Sequence, residues 1–502
     1  MRGLVRSTAL LGAGSAATVV AALLRAKVLA AWLGPQGTGV MAQLSTLTAV
    51  LVPLATLGIG NGVVALIAEA RGKGDLARVG RIERTAHSLT WGIGGSLAVI
   101  TALASPWLAP AILEGRAYAW VVVVGAACVP LSAVASLRIS MLQGHEAIRS
   151  MAGLNAAIAG VGVASILPLA WFLGLTGAVI QLLVVALAYV WLSGRALEPH
   201  ARSARAAEDV GAGRADGPPA AAAPARPPRI DRALLPPLLR YGGSALLVGL
   251  SSTLTLLVLR SILVKRLGLA ENGIYQVCVG VSGLYMPLIL NSITATVWPQ
   301  IAAERDNARV VETMQQAARL AFLLMTGVAA SVMVAAPVAI PVLYSSRFLP
   351  ALSLLPLQFV GDYFRTGAWM FGVWLVPRNR LRPWVLFDVI YGLVLLAVFL
   401  LLVGRVGTRS VVLAYVAAHV SHSVLHYLLA RRSIGFRLGA ANRRLLLGSA
   451  ALLLGLAAWT PHDPRGSALA LLAACGWAGL VVRPREWRAA WNRGRALLPG
   501  AR

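Results

Sequence analysis

Apolar residues along this chain gather into long runs, near 9–33, 40–70, 87–112, 118–142, 151–173, 175–194, 236–263, 274–302, 318–344, 350–377, 383–404 and 410–430, parted by short polar or basic stretches. A helix rises about 1.5 Å per residue, so runs of roughly 17–28 residues match a hydrocarbon layer about 30 Å thick. The pattern predicts twelve membrane-spanning helices, and two weaker runs, 445–459 and 466–482, predict an added helical hairpin. The first run is too long for the apolar part of a signal peptide and has no small-x-small cleavage site before the turn at Leu33-Gly34-Pro35. It is expected to stay as the first span.

Gly194 to Pro237 interrupts the series with Ala, Pro and Arg, including Gly217-Pro218-Pro219-Ala220-Ala221-Ala222-Ala223-Pro224. With so few bulky apolar side chains it reads as a disordered cytoplasmic linker over 195–235. The expected organisation is an N-lobe of six spans (1–194), that linker, a C-lobe of six spans (236–432) and a C-terminal extension (433–502) with the hairpin and a basic tail. The lobes echo one another. Leu33-Gly34 recurs as Leu267-Gly268, Gly39 as Gly273, and Ile67-Ala68-Glu69-Ala70-Arg71 as Ile301-Ala302-Ala303-Glu304-Arg305, all at an offset of 234. Arg25 and Arg260 fall one residue out of that register. Because six is even, the halves share one orientation, as parallel repeats about an axis along the membrane normal. The fold class expected is an all-α polytopic membrane protein, with two pseudo-symmetric six-helix lobes around a central cavity and 12 + 2 spans.

Composition agrees: 58% of residues are hydrophobic and 13% charged, more apolar surface than a soluble chain of 502 residues could hide. The net charge of +27 does not point to nucleic acid, because the basic residues cluster between the apolar runs. Placing the N-terminus, the alternate loops and the C-terminus on one side collects 34 of the 45 lysines and arginines. The opposite loops hold seven, and Arg25, Lys27, Arg260 and Arg365 lie within spans. Such asymmetry predicts both termini in the cytoplasm. Cys128, Cys278 and Cys475 all sit inside apolar runs, so neither a disulfide framework nor a thiolate metal site is expected, and no cofactor.

The embedded charges are the candidate chemistry. Arg25 lies about 12 Å inside the span's end at Leu33, too deep for easy snorkelling, and a cation there costs roughly 2.5–3.5 kcal/mol. It should face a polar chamber or a partner. Lys27 is about 200° around the helix from Arg25, so the two cannot both face one way. Arg260 is about one turn from the outer end of its span, placed equally for snorkelling or a cavity. Asp362 and Arg365 are three apart on one helical face, as an intrahelical ion pair or as a titrating, cation-binding acid beside an anion-binding base. Asp388, beside Arg382, reads as half of an interfacial pair, and Glu69 with Arg71 as a helix-end pair. His419, His422 and His426 share a face at i, i+3, i+7 without a converging further ligand, which favours packing or a polar face over a metal. Gly58, Gly60, Asn61 and Gly62 interrupt a span, as a hinge or as a close-packing face. Opposite-side carboxylates are only Glu114, Glu271 and Asp463, in short loops. No nucleophile-and-base site and no Gly-Lys-Ser/Thr phosphate loop is present, which argues against an enzyme and against ATP hydrolysis.

Lys27-Val28-Leu29-Ala30-Ala31-Trp32-Leu33-Gly34-Pro35 with Gly37 and Gly39, then Leu57-Gly58-Ile59-Gly60-Asn61-Gly62-Val63-Val64, resembles the start of Wzx-type polysaccharide flippases, particularly those of the enterobacterial-common-antigen intermediate. Gly273-Ile274-Tyr275-Gln276 after Arg260 is similar to the same family, as is Gln358-Phe359-Val360-Gly361-Asp362-Tyr363-Phe364-Arg365-Thr366-Gly367 with Leu381-Arg382 and Asp388. The resemblance covers roughly residues 5–432. It implies a V-shaped, two-lobed bundle of the multidrug/oligosaccharidyl-lipid/polysaccharide exporter superfamily in a bacterial inner membrane. Such a bundle moves undecaprenyl-diphosphate-linked oligosaccharide between leaflets by ion-driven alternating access, for O-antigen, common-antigen-like or exopolysaccharide assembly. It also implies a lysine at Lys27, a base at Arg365 and an acid at Asp388. The linker and the tail after Arg432 depart from the family pattern.

The expected function is therefore a flippase, with Arg25, Lys27, Arg260 and Arg365 binding substrate and Asp362 and Asp388 coupling ions. Its partners would be the lipid-linked substrate, the membrane, and a polysaccharide polymerase or chain-length protein, and the chain itself would be a monomer. A multidrug/cation antiporter would prefer acidic chamber residues. A peptidoglycan-precursor flippase matches the fourteen spans but fits the quoted motifs less well. A membrane glycosyltransferase lacks its loop.

Overall fold

The computed structural model describes residues 2–211 and 230–459, with 472, 473, 476, 477 and 479. Among these the chain is helical and has no strand. The helices are α1 (Arg2–Ala55), α2 (Gly60–Gly72), α3 (Leu76–Leu103), α4 (Ser105–Ile112), α5 (Ala119–Gly144), α6 (Ile148–Gly211), α7 (Leu235–Leu267), α8 (Leu269–Ala303), α9 (Asn307–Leu343), α10 (Leu355–Gly372), α11 (Leu381–Val406), α12 (Arg409–Ile434) and α13 (Ala440–Trp459). Eight helices among the described residues are long and apolar enough to cross a membrane. Large apolar side chains such as Leu103, Phe172, Val338 and Leu401 stay exposed on them, a surface suited to acyl chains.

Several details differ from expectation. The run 40–70 is not one helix: α1 stops at Ala55 and α2 starts at Gly60, with Leu57 (φ 49°) and Gly58 (φ 65°) in left-handed backbone between them. Residues 195–211, expected in the disordered linker, continue α6, because Ala, Arg and Glu there are good helix formers. Residues 212–229 of that linker, and most of the run 466–482 of the hairpin, lie outside the described residues. The run 445–459 is helical within α13, which packs on α10 and accepts a 3.0 Å hydrogen bond from the Tyr363 hydroxyl at the Leu446 carbonyl.

The chain divides into two compact units: residues 1–273 with 343–345, and 274–342 with 346–502. The contact boundary thus falls inside α8 rather than at residue 236, since α7 packs on α1 and α2. In the first unit α1, α5 and α6 enclose Val40, Leu44, Val121, Val122 and Val129, while Ile59, Val63, Ile67, Val79, Ile82 and Leu137 join α2, α3 and α5. Gly58 also touches α7: a Cβ there would lie 2.7 Å from the Gly242 carbonyl and 2.9 Å from Leu246 Cβ. The segment thus both breaks the helix and approaches α7 closely. Gly58→Ala is expected to cost about 1–3 kcal/mol, through strain and overpacking, read as a lowered melting temperature in detergent.

The repeat of 234 residues has a physical counterpart in this unit. Gly34 (φ 64°) and Gly268 (φ 98°) make equivalent turns, and the two turns dock on each other. A Cβ at Gly39 would collide with the Leu269 carbonyl, and one at Gly273 with the Pro35 carbonyl. Pro35 and Leu269 are themselves 234 apart, so the contact is reciprocal, as a local pseudo-two-fold requires. Farther along, Gly174 (φ 55°) in α6 and Gly407 (φ 57°) before α12 break the helices at a second equivalent pair of turns.

In the second unit, α10 and α12 pack most closely, with α11 against α12. Gly361 and Gly372 on α10 leave the room that Tyr415 and His426 of α12 occupy. Both pairs are eleven apart, so the two helices run side by side in register.

Candidate functional site

The sequence-predicted residues fall in both units. In the first, α6 bends at Gly174, which brings Gly162 and Gln181 from its two limbs to one place beside α1. Arg25 is seated there, half-buried. Its Nη2 donates to Gln181 Oε1 at 3.4 Å, and Gly162 gives its guanidinium room. Gln181, fully buried, donates in turn to the Gly162 carbonyl at 3.2 Å and to Ser165 Oγ at 3.4 Å. Among the described residues Arg25 has a neutral amide as partner, no carboxylate, and a buried Nε without an acceptor. Its charge and most of its five donors are thus uncommitted, which suits an anion.

Lys27 is half-buried on the same helix, two residues on. Arg260 is only 1% exposed and neither snorkels nor stands open. Its Nη1 donates to Asn272 Oδ1 at 3.0 Å, and Asn272 Nδ2 donates to the Gly39 carbonyl at 2.9 Å, so this arginine ties α7 and the start of α8 to α1. Gly60 and Gly62 open α2, Gly60 against Ser140 and Gly62 buried, while Asn61 is exposed.

In the second unit Asp362 is wholly buried on α10. Three hydroxyls donate to its carboxylate: Ser282 Oγ at 2.5 Å and Tyr285, both from α8, and Tyr415 from α12 at 2.7 Å. Gln358 Nε2 supports Ser282 at 3.1 Å. Arg365 is exposed on the same helix, and its Nη1 reaches the Tyr415 hydroxyl at 3.5 Å. The intrahelical ion pair is not formed; the tyrosine hydroxyl stands between acid and base. The three hydroxyls satisfy the buried carboxyl group without the arginine, whose own side chain stays exposed.

Asp388 on α11 also differs from expectation. Its Oδ1 lies 3.6 Å from His422 Nε2, not against Arg382. His419, His422 and His426 line α12 as expected, and Tyr415 extends their face by one turn. Among the described residues no group of three or more His, Cys, Asp or Glu is arranged to hold a metal. Sequence reasoning missed Gln181, Ser282, Tyr285 and Tyr415. Only Tyr415 carried a signal, its four-residue spacing from His419.

Two family models match the chain, both described as polysaccharide biosynthesis proteins, one over residues 4–200 and the other over 221–353. The chain is similar to curated lipid III flippases of Escherichia coli (strain K12) and Shigella flexneri, each 24% identical over 410 residues, 80% of this chain and 91% of the relative. Among solved structures it is similar to a lipid II flippase in an inward closed conformation (TM-score 0.71, 10% identity, covering 95% of this chain and 98% of that one). It is also similar to an inward-facing multidrug resistance MATE family transporter of the MOP superfamily (TM-score 0.69, 15% identity, 83% and 94% covered). These structures share its fold.

Proposed function

We propose, from the premise that this chain is a polysaccharide-biosynthesis flippase of the Wzx type, that it carries undecaprenyl-diphosphate-linked oligosaccharide between the leaflets of a bacterial inner membrane. The relatives are transport proteins, and the chain is a multi-pass membrane protein and no enzyme. The observation that carries the substrate class is Arg25, half-buried within its span with only a neutral amide for a partner. A diphosphate offers such a guanidinium a bidentate acceptor, which repays the cost of keeping a cation there. Half-buried Lys27 lies two residues on along the same helix, and Arg365 is an exposed cation of the second unit. The buried Asp362 is the candidate for ion coupling, transport proceeds by alternating access, and both termini lie in the cytoplasm.

The test uses purified full-length protein in liposomes containing a fluorescent undecaprenyl-diphosphate-linked monosaccharide, whose leaflet is read by dithionite quenching. Wild type is expected to speed leaflet exchange. Arg25→Ala is expected to slow it by about tenfold or more at equal protein, as for loss of a charged hydrogen-bonding partner, and Arg25→Lys less. Failure of wild type to move this lipid would overturn the reading. Uptake of a cationic dye in its place would support an antiporter.

A further inference from the structure

Asp362 is wholly buried, yet an acid that couples an ion must be reached by it. The face of α12 that meets α10 and α11 carries Tyr415, His419, His422 and His426, at i, i+4, i+7 and i+11. That spacing makes one stripe, about 16 Å long, from the hydroxyl on Asp362 toward the end of α12 that bears Arg431 and Arg432. Neighbouring rings are in contact along it. Tyr415 and His419 have centroids 4.4 Å apart, His419 and Tyr391 4.6 Å, Tyr391 and His422 5.5 Å, and His422 and His426 4.5 Å.

Four ring nitrogens on this stripe are buried without a hydrogen-bond partner among the described residues: His419 Nδ1, His422 Nδ1 and Nε2, and His426 Nε2. A packing face would be filled more cheaply by leucine, since each unsatisfied buried polar atom is destabilising. Asp388 adds a carboxylate within ion-pair reach of His422 Nε2. The groups facing the stripe are Arg365 from α10, Asp388, Tyr391 and Trp384 from α11, and Tyr275 of α8 beside Tyr391.

We infer that the histidine stripe of α12 is a proton path, joining the basic end of that helix to Asp362 and making the proton the coupling ion; this rests on the flippase reading for what the proton drives. A neutral imidazole takes a proton on one nitrogen and gives up the other, so each ring returns to neutral in its second tautomer and resets by rotation. At the inner end the Tyr415 hydroxyl gives its proton to Asp362 Oδ1 and takes one from the His419 side, so that charge moves and no group is consumed. His422, with Asp388 Oδ1 3.6 Å from its Nε2, is the relay's midpoint, where the acid steadies the ring while a proton passes.

The path is tested on the full chain in liposomes by infrared difference spectroscopy after a pH jump. The signal is the protonated-carboxyl band that Asp362→Asn removes. In wild type this band is expected to follow the jump, and to do so more slowly in deuterium oxide. The triple variant H419Q/H422Q/H426Q keeps polarity and near-native size, and its fold is checked by melting temperature. It is expected to slow the band by about tenfold or more, the range of a lost proton-transfer group. Should the triple variant not fold, H422Q alone is read the same way. An unchanged rate, or an Asp362 band that does not respond to the jump at all, would overturn the path. Because no lipid substrate is present, failure here is separate from failure of the leaflet assay. In that assay the triple variant should lose stimulation by a pH gradient while keeping exchange without one.

Discussion

Gly39→Ala is expected to abolish accumulation of folded protein, and Gly273→Ala to do the same. At both positions the methyl carbon would collide with a carbonyl oxygen of the opposing turn, on Leu269 and Pro35 respectively. No flexible side chain is available to yield, so the turns must separate. That would also break the hydrogen bond from Asn272 Nδ2 to the Gly39 carbonyl and disturb the one from the Leu269 amide to Glu114 Oε1 at 2.6 Å. Overpacking by about 1–3 kcal/mol, plus about 1–3 kcal/mol for each buried polar group left unpaired, approaches the whole stability of many proteins. The measurement is monodisperse yield and melting temperature in detergent. Gly160→Ala serves as control, since nothing lies near its added methyl, and it should be neutral or slightly stabilising. Normal melting of the Gly39 variant would mean that the docked turns are not a closed contact.

The second large effect is expected at Asp362. Asparagine keeps the shape and one carbonyl acceptor, and the hydroxyls of Ser282, Tyr285 and Tyr415 can turn to accept from its amide. Folding should therefore suffer by only about 1–3 kcal/mol. Gradient-driven lipid movement, in contrast, should fall by about a hundredfold or more, because the acid proposed to gain and lose charge is gone. Leaflet exchange measured with and without an imposed proton gradient separates the two. If Asp362→Asn still responds to the gradient, the carboxylate is a structural knot among three helices. Asp362→Leu, which strands all three hydroxyls, should then fail by misfolding instead.

What could be read in advance follows from the range of each interaction. The helical runs and their turns are local, and Gly34 and Gly39 declared themselves by recurring at Gly268 and Gly273. Partners across helices were not legible. Asp388 lies six residues from Arg382 in sequence, yet it meets His422, because α11 packs on α12 and a helix face sees its neighbour before its own end. Arg25 found Gln181 only because Gly174 bends α6 back, a tertiary fact with no mark at residue 25. The Asp362–Arg365 spacing suggested a pair, and the bulk of Tyr415 in the notch of Gly361 displaced it. Helix over 195–211 was masked by the Pro-rich composition that follows it.

The reciprocal seat of Gly39 and Gly273 also orders events during synthesis. At roughly 5–20 residues per second, the ribosome delivers Gly273 about 10–50 s after Gly39. Through that interval the Gly39 carbonyl and the Glu114 carboxylate wait for Asn272 and Leu269, and Gln43 waits for Ser261, its partner at 2.9 Å. Helices α1 to α6 therefore form as an unfinished body, one that a translocon or insertase has reason to hold until α7 and the start of α8 arrive.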